Sequence, residues 1–135
     1  MNKKIGVILI VVIIILGFLM LTNFNTTDQN ILKQTFVIGA VYFENDGFVE
    51  ISFRDKSNKT NHVTLEILGM PESFHKEYSS SSFVEKIILT STPKYGWQSI
   101  PVTLLVEHEE FGKIGIKTEI RPVGENHVTI IFSKL

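Results

Sequence analysis

The sequence predicts an all-β protein: a single antiparallel β-sandwich of about seven strands, preceded by one N-terminal transmembrane helix. Three observations carry that expectation. Ile5 to Leu21 are seventeen uninterrupted nonpolar residues directly behind Lys3 and Lys4, and no charged side chain occurs between Lys4 and Asp28. From Thr35 onward apolar side chains recur at every second position, the period of a half-buried strand. No helical stripe appears after the first run.

A helix of that first run reaches roughly 25 Å at about 1.5 Å per residue, the short end of what crosses a hydrocarbon core of about 30 Å. Lys3 and Lys4 in front and an acidic remainder behind predict a cytoplasmic amino terminus, with everything after residue 22 extracytoplasmic. A cleaved secretory signal shares the basic start, but its apolar region is typically about 7 to 15 residues and ends at a small-x-small site. This run is longer and closes Phe18-Leu19-Met20-Leu21-Thr22-Asn23, so an uncleaved anchor fits better. A lipoprotein signal needs a cysteine, and the chain has none. A pilin-type leader, retained as a filament core, places glycine directly after its basic pair, whereas Lys3-Lys4-Ile5-Gly6 displaces it. The expected division is therefore 1–22 cytoplasmic tip and anchor, 23–34 polar linker, and 35–135 extracytoplasmic domain.

Composition narrows the partners. Leaving out Lys3 and Lys4, 11 basic residues face 14 acidic ones, which argues against a nucleic-acid or anionic-lipid surface. With no cysteine, stability rests on the core, and a domain of around 100 residues buries roughly 60 to 70% of its unfolded surface without staples.

Val49, Ile51 and Phe53 alternate with polar residues, as do Val63, Leu65 and Ile67. Val102, Leu104 and Val106 share a face, as do Ile114, Ile116 and Ile120, and then Val128, Ile130 and Phe132. Turn chemistry falls between these runs: Asn45-Asp46-Gly47, Lys56 to Asn61, Phe111-Gly112, and Pro122 to Asn126. Strands are expected near 35–43, 48–54, 62–68, 83–90, 100–108, 113–120 and 127–133. In strand count and spacing, residues 35 to 134 resemble the immunoglobulin-like and fibronectin type III-like domains of cell-surface proteins, without the cysteine pair of true immunoglobulin domains. A seven-stranded barrel or meander is the alternative.

Phe36 to Phe43 breaks the alternation, being apolar on both faces. The favoured reading is a kink or bulge at Gly39 that reverses parity as the strand changes sheets. The competing reading leaves one apolar face, joined by Leu105 or Ile88, for a partner chain to cover. Gly69 to Ser82 reads as a long crossover between sheets, with a helical turn or edge strand around Phe74 to Tyr78 left open. The loop Thr92 to Gln98 holds Tyr95 and Trp97, the candidate binding loop, with plugging of the sandwich end as the more ordinary role for Trp97.

Catalytic and cofactor motifs fail. His108-Glu109-Glu110-Phe111-Gly112 begins like HExxH but has glycine for the second histidine and sits in a hairpin. Ser91-Thr92-Pro93-Lys94 fits S-x-x-K without its partner motifs. Phosphate loops and EF-hand spacing are absent, and His62, His75, His108 and His127 are scattered; Met70 with His75 is the only pair in one loop that suits copper. Asn25-Thr26-Thr27 and Asn58-Lys59-Thr60 match the glycosylation triplet, making Asn25 and Asn58 acceptor candidates. No catalytic, cofactor or metal residue is assigned. The expectation is a single-pass, non-enzymatic module held in the cell membrane through Ile5 to Leu21, binding an envelope protein or polymer; the alternative is an accessory subunit of a membrane complex or a pilin-like filament component.

Overall fold

Period-two alternation sorts apolar side chains onto one face of each strand, and the pairing register makes those faces coincide. The computed structural model describes residues 10–16, 28–70, 73–88, 96, 100–125 and 129–135. Among them are nine strands: β1 (Phe36–Phe43), β2 (Phe48–Asp55), β3 (Thr60–Ile67), β4 (Phe74–Tyr78), β5 (Ser82–Ile88), β6 (Pro101–His108), β7 (Gly112–Glu119), β8 (Arg121–Pro122) and β9 (Ile131–Lys134). They form two sheets, in the orders β5-β2-β1-β8 and β4-β3-β6-β7-β9.

The chain divides into two compact units, Met1–Gln34 and Thr35–Leu135, and both sheets belong to the second. Most of the run Ile5 to Leu21 lies outside the described residues; residues 10–16 of it are helical, and each of their side chains is exposed. Residues 28–35 are helical too. Among the described residues, no helix is long and apolar enough to cross a membrane.

Within the second unit the core is built as the alternation predicts. Val49, Ile51 and Phe53 on β2, Val63, Leu65 and Ile67 on β3, Val102, Leu104 and Val106 on β6, and Ile114 and Ile116 on β7 are all buried. Burying a side chain of this kind contributes about 1.5 to 3 kcal/mol. Phe36 joins the two layers: its ring stacks on Phe53 of its own sheet at 5.8 Å, on Phe132 of the other at 6.4 Å, and meets His108 edge-on at 5.5 Å. The architecture is sandwich-like, two sheets face to face over a shared apolar layer.

Three features depart from the sequence reading or complete it. The first is β1, which pairs with β2 in one unbroken antiparallel register from Phe36↔Asp55 to Phe43↔Phe48. There is no parity reversal at Gly39. Instead Phe36, Ile38 and Ala40 are buried, while Val37 on the alternate face is 46% exposed. The glycine leaves room for its neighbour: a Cβ there would lie 2.5 Å from Ser52 Oγ on the adjacent strand, and that hydroxyl would have to turn away. The second lies within the expected crossover, where the sequence leaves a helical turn or an edge strand open: Phe74–Tyr78 is the edge strand, paired antiparallel with β3. The third is β8, which pairs in parallel with Val41 and Tyr42, so the sheet is not purely antiparallel.

The turns behave as their residues require. Gly47 has φ +67° and donates its N–H to Phe43 O at 2.9 Å, closing the β1–β2 hairpin. His108 pairs with Gly112, which has φ +73°, so the three-residue loop 109–111 is followed by a left-handed glycine that opens β7.

Candidate functional site

The outer face of the four-stranded sheet follows directly from its register. Four rows cross β5, β2 and β1: Ser82, Arg54, Val37; Val84, Ser52, Gly39; Lys86, Glu50, Val41; and Ile88, Phe48, Phe43. On an ordinary solvated face polar residues fill such rows. Here Val37, Val84 and Ile88 are 46%, 62% and 83% exposed. A depression of about 510 Å³ opens between the first two rows, lined by Val37, Ser52, Phe53, Arg54, Ser82, Phe83 and Val84. Ser52 and Ser82, with short side chains, are among the residues that line it.

Charge on this face is unevenly matched. Lys86 Nζ lies 3.9 Å from Glu50 and 4.9 Å from the centre of the Phe48 ring. Arg54 has no ion pair among the described residues, whereas Arg121 on β8 is held by Glu119 at 3.0 Å and Glu125 at 3.6 Å. Of Leu105 and Ile88, the two candidates to join the apolar face of the first strand, Ile88 lies on this sheet and Leu105 belongs to β6 in the other. The parity reversal assumed at Gly39 hid this arrangement in the sequence.

A second constellation joins the sheets. Asp55, at the end of β2, has no exposed side-chain surface, and neither has His108 at the end of β6. Asp55 Oδ1 accepts from Ser57 N at 2.7 Å and Ser57 Oγ at 2.6 Å; Oδ2 accepts from Lys59 N and Thr60 Oγ1, both at 2.9 Å. Burial pushes the carboxyl up, but these donors outweigh it and hold Asp55 below its ordinary 3.8. His108 Nδ1 accepts from the backbone of Glu110 at 3.1 Å and Phe111 at 3.3 Å. The ring proton therefore sits on Nε2, 3.0 Å from Ser57 Oγ and 3.4 Å from Asp55 Oδ2.

Serine, histidine and aspartate meet here, but in the wrong order for nucleophilic catalysis. A hydrolase histidine accepts the serine proton and gives its other N–H to the carboxylate. In this chain the serine hydroxyl donates to the carboxylate and the histidine donates toward the serine, so the imidazole does not act as a base on Ser57. The cluster is a brace. Asp55-Lys56-Ser57 carried a local signal, an Asx-type turn after a strand, but His108 stands 53 positions away.

Tyr78 and Glu85 make a second brace between the sheets. Tyr78 OH donates to Glu85 Oε2 at 2.6 Å, Lys76 Nζ reaches the same oxygen at 2.9 Å, and the Tyr78 ring stacks on Phe83 at 3.8 Å. Burial first, then the bond to Glu85 and its charge, push the tyrosine hydroxyl well up. Burial raises Glu85 as well, but Tyr78 and Lys76 win and hold it below 4.5.

Of the residues singled out from sequence, Tyr95, Trp97 and Asn25 lie outside the described residues, as does His127. Asn58 is exposed in the link between β2 and β3, with φ +56°, and accepts from Ser81 Oγ at 3.3 Å. His75, on β4, pairs through Nδ1 with Glu66 at 3.0 Å. Among the described residues, no group of three or more His, Cys, Asp or Glu is arranged to hold a metal ion. Comparison with protein families, with curated proteins and with solved structures finds no match to this chain.

Proposed function

We propose that this chain is a single-pass, membrane-anchored extracytoplasmic module that binds or assembles a protein partner of the cell envelope, and that it is not an enzyme. The observation that carries the reading is the outer face of β5, β2 and β1, with exposed Val37 and Val84 at a depression bordered by Arg54, which has no ion pair among the described residues, and exposed Ile88 on the same face. Apolar patches of this kind on soluble faces mark interaction sites. The anchor is Ile5 to Leu21, with Lys3 and Lys4 on the cytoplasmic side.

A finer fold assignment belongs to the same proposal. β1, β2 and β5 lie together, as do β4, β3, β6 and β7. This neighbourhood supports an immunoglobulin-like or fibronectin type III-like layout with its fourth strand added beside the third. A second reading, an accessory or filament subunit, is favoured by the helical residues 10–16, apolar and exposed on all sides. In that case the helix itself is an interface.

Native size in gentle detergent tests the proposal. A tagged chain cross-linked in its own membranes before extraction should migrate well above its monomer size, and Val37→Asp together with Ile88→Asp should reduce it. Migration as a monomer, unchanged by these substitutions, would overturn it.

A further inference from the structure

We infer that the partner of this face is a second copy of the chain, packed face to face about a two-fold axis that runs across the strands over the row Val84, Ser52, Gly39. The inference rests on the proposed binding role and names its partner. Its basis is the spacing of charge: Arg54 and Glu50 lie on one strand, two positions either side of Ser52, and both point outward. A two-fold axis over Ser52 exchanges them. Arg54 of each copy then faces Glu50 of the other, and Val37 faces Val41.

The shape agrees with the charge. Stacked sheets sit about 10 Å apart, a gap that an arginine and a glutamate together span. The row on the axis is the one with the least bulk, Gly39 and Ser52, where two copies come closest. The depression bordered by Arg54, Ser52 and Ser82 lies over the position the opposing Glu50 takes. Glu50 keeps Lys86 at its other side, so the carboxylate sits between two cations and Arg54 gains the counter-ion it lacks among the described residues. Such an arrangement is isologous and closed, so it stops at two copies.

The contact is small. Three strands about 4.8 Å apart, overlapping over the five residues from Ser82 to Lys86 on which the axis is centred, at about 3.3 Å each, give roughly 240 Å² per copy. Stable complexes bury about 800 Å² per partner. Free in solution the pair is therefore weak, and tethering both copies in one membrane supplies the concentration that the area does not.

The cysteine-free chain makes the test direct. The full chain carrying Val84→Cys, which places one thiol beside the axis, is reconstituted in vesicles and treated with a short bis-maleimide. Thr103→Cys, outward on β6 of the other sheet, is the control. Val84→Cys should cross-link to a dimer at least about fivefold more than the control. Arg54→Glu, or the milder Arg54→Gln, should bring it down to the control level, and Arg54→Glu with Glu50→Arg should restore it. Equal cross-linking of the two cysteines, indifference to Arg54, or a folded double exchange that stays low would each overturn the inference. A purified chain that fails to cross-link while the native complex persists and still depends on Val37 sinks the self-pairing alone; loss of both sinks the binding role as well.

Discussion

Asp55→Asn removes one charge and almost no volume, and its cost follows from counting donors. The carboxylate accepts four hydrogen bonds of 2.6 to 2.9 Å, two on each oxygen. An asparagine keeps one oxygen. Whichever way the amide lies, its NH₂ opposes a backbone N–H, that of Ser57 or that of Lys59. A buried donor left unpaired costs about 1 to 3 kcal/mol, and the bonds that survive lose their charge assistance, roughly half their strength. Together these give about 2 to 4 kcal/mol, or a fall of roughly 10 to 30 °C in Tm for a domain of this size. The assay is thermal and urea unfolding of residues 30–135 expressed alone, which should be cooperative, rich in strand and insensitive to reductant or chelator. Because Asp55 is held below 3.8 in the folded state, the native protein binds fewer protons than the unfolded chain at acid pH. Its contribution is present above about pH 4 and lost as pH falls through the depressed folded value. Asp55→Asn should therefore flatten the acid limb as well as lower the plateau. A loss under about 0.5 kcal/mol, the scatter of ordinary surface changes, with an unaltered acid limb would refute the reasoning.

Tyr78→Phe deletes the hydroxyl that Glu85 accepts but leaves Lys76 in place, so it should cost about 1 to 2 kcal/mol; carboxyl titration by NMR should show Glu85 moving up toward 4.5. Protease treatment of intact cells should remove a C-terminal tag if Lys3, Lys4 and the apolar run orient the chain as proposed, and a protected tag in a competent assay would reverse the topology. Trp97→Ala should cost about 3 to 5 kcal/mol if the ring plugs the domain, read by thermal unfolding; near wild-type stability with weakened partner binding would instead assign Tyr95 and Trp97 to recognition.

Period two was legible wherever a strand has one dry face. Val49, Ile51 and Phe53, or Val63, Leu65 and Ile67, sort themselves because the residues between them are polar. β1 was illegible for the opposite reason: Val37 and Val41 are as apolar as Phe36 and Ile38, so the pattern does not say which face is inside. Only the partner strand decides, and Ser52 and Arg54 opposite Gly39 and Val37 mark the outer side. β4 stayed undecided because His75, Lys76 and Glu77 are all polar and exposed, with Lys76 paired to Glu85 of the other sheet, so no apolar alternation marks it. The Asp55 brace was half legible: the turn was written locally, the histidine was not.

That brace has a consequence for how the molecule breathes. The link from Lys56 to Lys59 lies at the surface and carries two lysines, a stretch that composition alone marks as fast to exchange and easy to cut. Yet the amides of Ser57 and Lys59 are tied to a carboxylate with no solvent access, and those of Glu110 and Phe111 to the imidazole behind it. Releasing any of the four strips partners from a charge that water cannot reach. Hydrogen exchange at these loop positions should therefore track opening of the whole domain rather than local fraying, and trypsin should cleave at Lys56 or Lys59 only as fast as the two sheets come apart.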